Sequence, residues 1–129
     1  GATLAGLNIL VAEDNEINQI IIKKLLETEG AQFEILNNGK ECVDRLEQSD
    51  KFDIVLMDIH MPEMSGVEAV QLIRQNTNPT IASIPVVALT ANVMQEDIDN
   101  YLEQGMNGHV AKPIDLENLR QVVNKAVQA

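Results

Sequence analysis

Two patterns of apolar residues alternate along the chain. Five short β-like runs lie at Asn8–Ala12, Gln32–Leu36, Asp53–Met57, Pro85–Leu89 and Gly108–Ala111. The central ones are apolar at nearly every position, as expected for strands covered on both faces. Between them, apolar residues recur every three or four positions, the period of a helix with one buried face. Ile17, Ile21 and Leu25 mark the first helix, with Asn15 as its N-cap and Gly30 as its stop. Asn38, with Glu41 three residues later, reads as a capping box for the second. Val67, Val70 and Ile73 mark the third, and Met94, Ile98 and Leu102, followed by Gly105, mark the fourth. Asp115 caps a last helix carrying Leu116, Leu119, Val123 and Val127.

Strands alternating with helices predict βα units and a parallel sheet. Right-handed crossovers in so short a chain favour a flavodoxin-like, doubly wound (βα)5 fold with strand order 2-1-3-4-5. In that order the chain reverses between strands 1 and 3, and ligands bind outside the carboxyl ends there. Glu13 and Asp14 follow the first strand, Asp58 the third, Thr90 the fourth and Lys112 the fifth. Residues far apart in sequence are therefore expected to share one edge of the sheet.

Composition narrows the functions open to such a site. With 129 residues and 45% hydrophobic content, the chain has room for one core and no cap domain. Twenty acidic against nine basic residues give a net charge of -11, which repels a phosphate backbone. Three aromatic side chains offer no stacking platform, so direct nucleic-acid binding is not expected. The apolar runs are too short to cross a bilayer, and Gly1-Ala2-Thr3 does not resemble a signal peptide. The single Cys42 reads as a packed small hydrophobe and fits a reducing compartment, so a cytoplasmic location is expected.

Three carboxylates crowded together require a cation. Oxygen ligands suit Mg2+, which takes one or two protein carboxylates and substrate phosphate oxygens. Asp14 and Asp58 would ligate directly, with Glu13 acting through a water. Screened in this way, Asp58 could attack phosphorus, while Lys112 and Thr90 supply a charge and a hydroxyl to the phosphoryl oxygens. Any one of these residues alone reads as a helix cap or a turn. Their common sheet edge makes them a candidate site.

Four segments together resemble a response-regulator receiver domain of two-component and phosphorelay signalling, along the whole chain. They are Val11-Ala12-Glu13-Asp14-Asn15, the run from Leu56 to Gly66, Ala88-Leu89-Thr90-Ala91 and Ala111-Lys112-Pro113. The resemblance implies that Asp58 takes a phosphoryl group from phosphohistidine, with Thr90 and Lys112 binding its oxygens. It also implies a Mg2+ site, with Mn2+ as the alternative ion, built from Glu13, Asp14, Asp58 and the backbone carbonyl of His60. The Lys112–Pro113 bond is expected to be cis. His60 and Asn92 match positions that set the lifetime of the phosphoryl group. One departure stands out: His109 occupies the place of the family's switch aromatic, usually Tyr or Phe.

The implied partner is a histidine kinase or a histidine phosphotransfer domain, docking beside the first helix through Asn15, Ile17, Asn18 and Ile22. The fourth helix, fifth strand and last helix would form the face that switches. Residues 1–6 read as a linker or cloning remnant and 7–129 as the receiver domain. Thr3 to Leu7 resembles the linker into receivers of hybrid sensor kinases, so a hybrid kinase tethered to a membrane is expected over a free-standing regulator. The nearest enzyme alternative, a haloacid-dehalogenase-like phosphatase, needs a second Asp where His60 stands. A flavodoxin would need a hydroxyl- and glycine-rich loop where Glu13-Asp14-Asn15 would repel phosphate. A receiver retained only for binding fits poorly with an intact phosphorylation set.

Overall fold

A computed structural model describes residues 3–128. Gly1, Ala2 and Ala129, including the reading of Gly1-Ala2 as a cloning remnant, lie outside the described residues. Five parallel strands form one sheet: β1 (Asn8–Ala12), β2 (Gln32–Leu36), β3 (Ile54–Asp58), β4 (Val86–Thr90) and β5 (Gly108–Ala111). Their order is 2-1-3-4-5, so the predicted doubly wound topology is the one observed. The helices are α1 (Glu16–Glu29), α2 (Gly39–Gln48), α3 (Gly66–Arg74), α4 (Pro79–Ala82), α5 (Gln95–Glu103) and α6 (Leu116–Gln128).

Strand alternation divides the core into two layers. Leu10, Ala12, Val55, Met57, Val86 and Ala88 meet Cys42, Leu46, Val70, Ile73 and Tyr101 on one face. Ile9, Val11, Ile54, Leu56, Val87 and Leu89 meet Ile22, Leu26, Leu119 and Val123 on the other. Leu4, ahead of β1, is fully buried in this second layer. Burial pushes the Cys42 thiol up to about 12, so it stays protonated, as a packing residue should.

The capping residues fall where expected, but the capping box read at Asn38 is only half made, since Glu41 takes the Asn37 N–H rather than that of Asn38. Asn15, Asn38 and Asp115 accept from the backbone N–H of Asn18, Glu41 and Asn118, and Gly30 takes a left-handed conformation after α1. Two helix faces differ from expectation. Ile17 and Ile21 are exposed and the buried apolar residues of α1 are Ile22 and Leu26; likewise Met94 and Leu102 are exposed while Tyr101 is buried. Residues 17, 20, 21, 22, 25 and 26 carry apolar side chains on two overlapping stripes of α1, and spacing alone does not say which one meets the sheet.

Outside the site, Arg74 ties three segments together. Its guanidinium donates to the carbonyls of Ala82, Ile84 and Gly105 and to Asn107 Oδ1. On the opposite side, buried Glu29 joins α1 to α6 through paired 2.6 Å bonds from Arg120.

Candidate phosphoacceptor and metal site

Strand register builds the site. Ala12 lies opposite Met57, which sets Glu13 beside Asp58; Asp58 lies opposite Leu89, and Thr90 opposite Ala111. Lys112 follows directly, its N–H donating to the Thr90 carbonyl at 2.9 Å. The Lys112–Pro113 bond is cis, as expected. Behind Asp58, Gly66 donates its N–H to the Ile59 carbonyl. A Cβ at Gly66 would stand 2.3 Å from the Asp58 carbonyl oxygen, so only glycine permits this approach.

Glu13, Asp58 and Thr90 are buried, whereas Asp14 is exposed at the rim. The Lys112 ammonium sits 2.9 Å from Glu13 Oε1 and 3.1 Å from Asp58 Oδ1. Asn15 N–H donates to Glu13 Oε2, and His60 N–H approaches Asp58 Oδ1 at 3.4 Å. Gln19 reaches from α1 to the Glu13 carbonyl at 2.5 Å and to Asn37 Oδ1, fixing the chain that follows β1.

Two buried carboxyl groups held close together oppose each other's ionisation. Burial, contact with Glu13 and the charge of Glu13 push the Asp58 carboxyl up to about 7, against the pull of Lys112. Burial also works to raise Glu13, but contacts with Lys112, Asp58 and the Asn15 N–H hold it below the usual carboxylate range. For Lys112, burial opposes the charge and the two carboxylates outweigh it, raising its pKa.

The cluster fits a hard cation. Glu13, Asp14 and Asp58 each present a carboxylate oxygen within 4.8 Å of the others. Glu13 Oε1 is buried and, although the ammonium is near, it accepts no hydrogen bond of good angular geometry, leaving lone pairs for a further cation. A donor set made only of oxygens suits Mg2+.

Thr90 lies just beyond this cluster. Its Oγ1 donates to the Asn92 carbonyl and accepts from the Asn92 N–H, both at 3.0 Å, and stands 3.3 Å from the Tyr101 hydroxyl. Tyr101 was not among the residues singled out from sequence; a lone Tyr on a helix gives no sign of a contact made across the fold. His60 and Asn92 flank a cavity of about 280 Å3 that Tyr101 also lines. His109 is half-buried on β5 opposite Ala88.

Comparison with known proteins shows the family of the chain. The family model for the response regulator receiver domain matches residues 9–124. Probable histidine kinase 5 of Oryza sativa subsp. japonica is 36% identical over 146 residues, covering 99% of this chain and 12% of that protein. Hybrid signal transduction histidine kinase I of Dictyostelium discoideum is 37% identical over 131 residues, covering 98% of this chain and 8% of its own length. Among solved structures, the receiver domain of a sensor histidine kinase from Pseudomonas aeruginosa PAO1 superposes with a TM-score of 0.86 at 34% identity. The match covers 97% of this chain and 100% of that one, whose active-site cleft coordinates a magnesium ion. A co-crystal of a Saccharomyces cerevisiae histidine phosphotransfer protein with the receiver domain of its downstream response regulator gives 0.86 at 28% identity, covering 98% of this chain and 92% of that one. The chain thus spans a small fraction of the kinases it matches, and it belongs to the response regulator receiver domain family.

Proposed function

We propose that Asp58 is the phosphoacceptor of this receiver and that phosphohistidine is its donor. The observation that carries this is the Lys112 ammonium held against both Glu13 and Asp58, with Asp14 completing a three-carboxylate cluster. An ionised Asp58 oxygen forms the new P–O bond while the P–N bond to the donor imidazole breaks, and its electron pair leaves with the ring nitrogen. The product is an acyl phosphate on Asp58. Asp14, Asp58, the His60 carbonyl and, indirectly, Glu13 would hold Mg2+, which would supply charge neutralisation between carboxylates and phosphoryl oxygens. Lys112 and Thr90 bind the phosphoryl oxygens after transfer. In this reading the domain is a signalling component rather than a turnover enzyme, and His60 and Asn92, flanking the acyl phosphate, govern its hydrolysis.

The donor docks over the loops beside α1. Ile17 is 69% exposed, Ile20 66% and Ile21 42%, a large apolar surface one helical turn from the metal ligands. Ile22 is fully buried, which removes it from the docking residues expected from sequence. Phosphorylation then favours one arrangement of the face formed by α5, β5 and α6, with His109 at the position of the switch aromatic. We place the domain, residues 7–129, within a hybrid sensor kinase on the cytoplasmic side of a membrane, with residues 1–6 leading into it. Among the described residues no helix is long and apolar enough to cross a membrane.

Transfer kinetics test the docking. Serine substitutions at Ile17, Ile20 and Ile21 should slow transfer from a phosphorylated histidine phosphotransfer domain and leave labelling by a small acyl phosphate unchanged. Equal losses with both donors would refute the docking assignment.

A further inference from the structure

Thr90 has one hydroxyl hydrogen and two lone pairs, and the contacts around it use all three. With its hydrogen donated to the Asn92 carbonyl, it accepts from the Asn92 N–H and from Tyr101. In this arrangement Thr90 has no donor left for a phosphoryl oxygen. Recruiting it to the site requires breaking the bond to Asn92 and turning the hydroxyl away from α5. That movement would strip the acceptor from the Tyr101 O–H. Tyr101 is only 5% exposed, so solvent does not readily replace the lost partner.

The fold provides a place for that hydroxyl to go. The cavity of about 280 Å3 lies between the β3–α3 loop and α5, and its lining includes Tyr101, Ser65, Asn92 and Asp97. It has both room for a turned phenol and acceptors for its hydrogen. The aromatic side chain bonded to Thr90 therefore sits on α5, whereas His109 sits on β5.

We propose that Tyr101 is a positioning residue for phosphoryl recognition: its hydroxyl stabilises the Thr90 arrangement that cannot donate to the phosphoryl group, and phosphoryl binding exchanges this contact for one in the adjacent cavity. The proposal rests on Asp58 being the phosphoacceptor. It couples the chemistry at the sheet edge to α5 through a single hydrogen bond. Removing the Tyr101 hydroxyl should ease the inward turn of Thr90 and leave the cluster of Glu13, Asp14 and Asp58 unaltered.

The probe is beryllofluoride with Mg2+, a stable mimic of the phosphoryl group, with binding followed by calorimetry and NMR. Tyr101→Phe should bind it about three- to tenfold more tightly than the parent, the effect of one net hydrogen bond. In a Thr90→Ala background the same substitution should change nothing, which a merely structural role for the ring would not produce. Because the chain holds one Tyr and no Trp, the parent's own tyrosine emission should shift on beryllofluoride binding. Unchanged or weaker binding by a Tyr101→Phe protein with parental thermal stability overturns the proposal. So does an equal gain with and without Thr90, or, if the variant does not fold, an unshifted tyrosine emission in the parent. A parent that binds no beryllofluoride removes the phosphoacceptor reading itself, and this proposal with it.

Discussion

The Lys112 ammonium lies 2.9 Å from Glu13 Oε1 and 3.1 Å from Asp58 Oδ1, bridging carboxylates from two adjacent strand ends. This one contact joins the ends of β1, β3 and β5 and places a positive charge where a dication is also attracted. The two cations must repel. Lys112→Ala should therefore bind Mg2+ more tightly than the parent, by roughly threefold or more, as measured by calorimetry. The same variant should lose its spectral response to beryllofluoride, since the charge that meets the phosphoryl oxygens is gone. Unaltered Mg2+ affinity would mean that metal and ammonium do not share this space.

The raised Asp58 carboxyl gives the site a pH dependence with a definite sign. Asp58 is pushed from 3.8 to about 7 in the folded chain, so the folded state holds its proton more tightly than the unfolded state. Its contribution to stability is complete below the unfolded value and is lost as pH rises toward the folded one. Glu13, held low, contributes in the opposite sense, and only at pH below its ordinary 4.5. Metal-free protein should thus lose stability in urea from about pH 4 to 7, and Asp58→Asn should flatten that slope. Mg2+ affinity should climb through the same interval, because the ion needs the carboxylate. A flat affinity profile would mean that Asp58 does not titrate with the metal site.

Gly66 is predicted to be intolerant of any side chain. The added Cβ of Gly66→Ala would meet Asp58 O at 2.3 Å and Ile59 Cα at 3.1 Å, both backbone atoms of the segment carrying the phosphoacceptor. Thermal unfolding should show a loss of about 3 kcal/mol, and Mg2+ affinity should fall as the end of β3 is pushed aside. Full retention of both properties would place the constraint elsewhere.

Much of this architecture was legible because it depends on local pattern. The five strand runs, the caps at Asn15, Asn38 and Asp115, and the residues closing each strand are all specified by neighbours in sequence. Topology then brought Glu13, Asp58, Thr90 and Lys112 to one edge without any further signal. The faces of α1 and α5 were harder to read. Each carries apolar residues on two sides, and the sheet chose Ile22 and Tyr101 while a solvent-facing surface kept Ile17 and Met94. The one-turn α4 was missed, although Asn78 caps it and Pro79 opens it, because four residues are too few to show a period. Contacts such as Tyr101 with Thr90, or Arg74 with the carbonyls of Ile84 and Gly105, arise only when distant segments pack.

Direct phosphorylation tests the central claim, that Asp58 accepts the phosphoryl group. The protein is incubated with a small acyl phosphate and Mg2+, and intact mass and peptide mapping are read promptly, before the acyl phosphate hydrolyses. The parent should gain the mass of one phosphoryl group, located at Asp58, and should gain none when the metal is chelated. Asp58→Asn should gain none under either condition. Labelling of Asp58→Asn to the parental level, or a phosphoryl group mapped to another residue of the parent, would contradict the account.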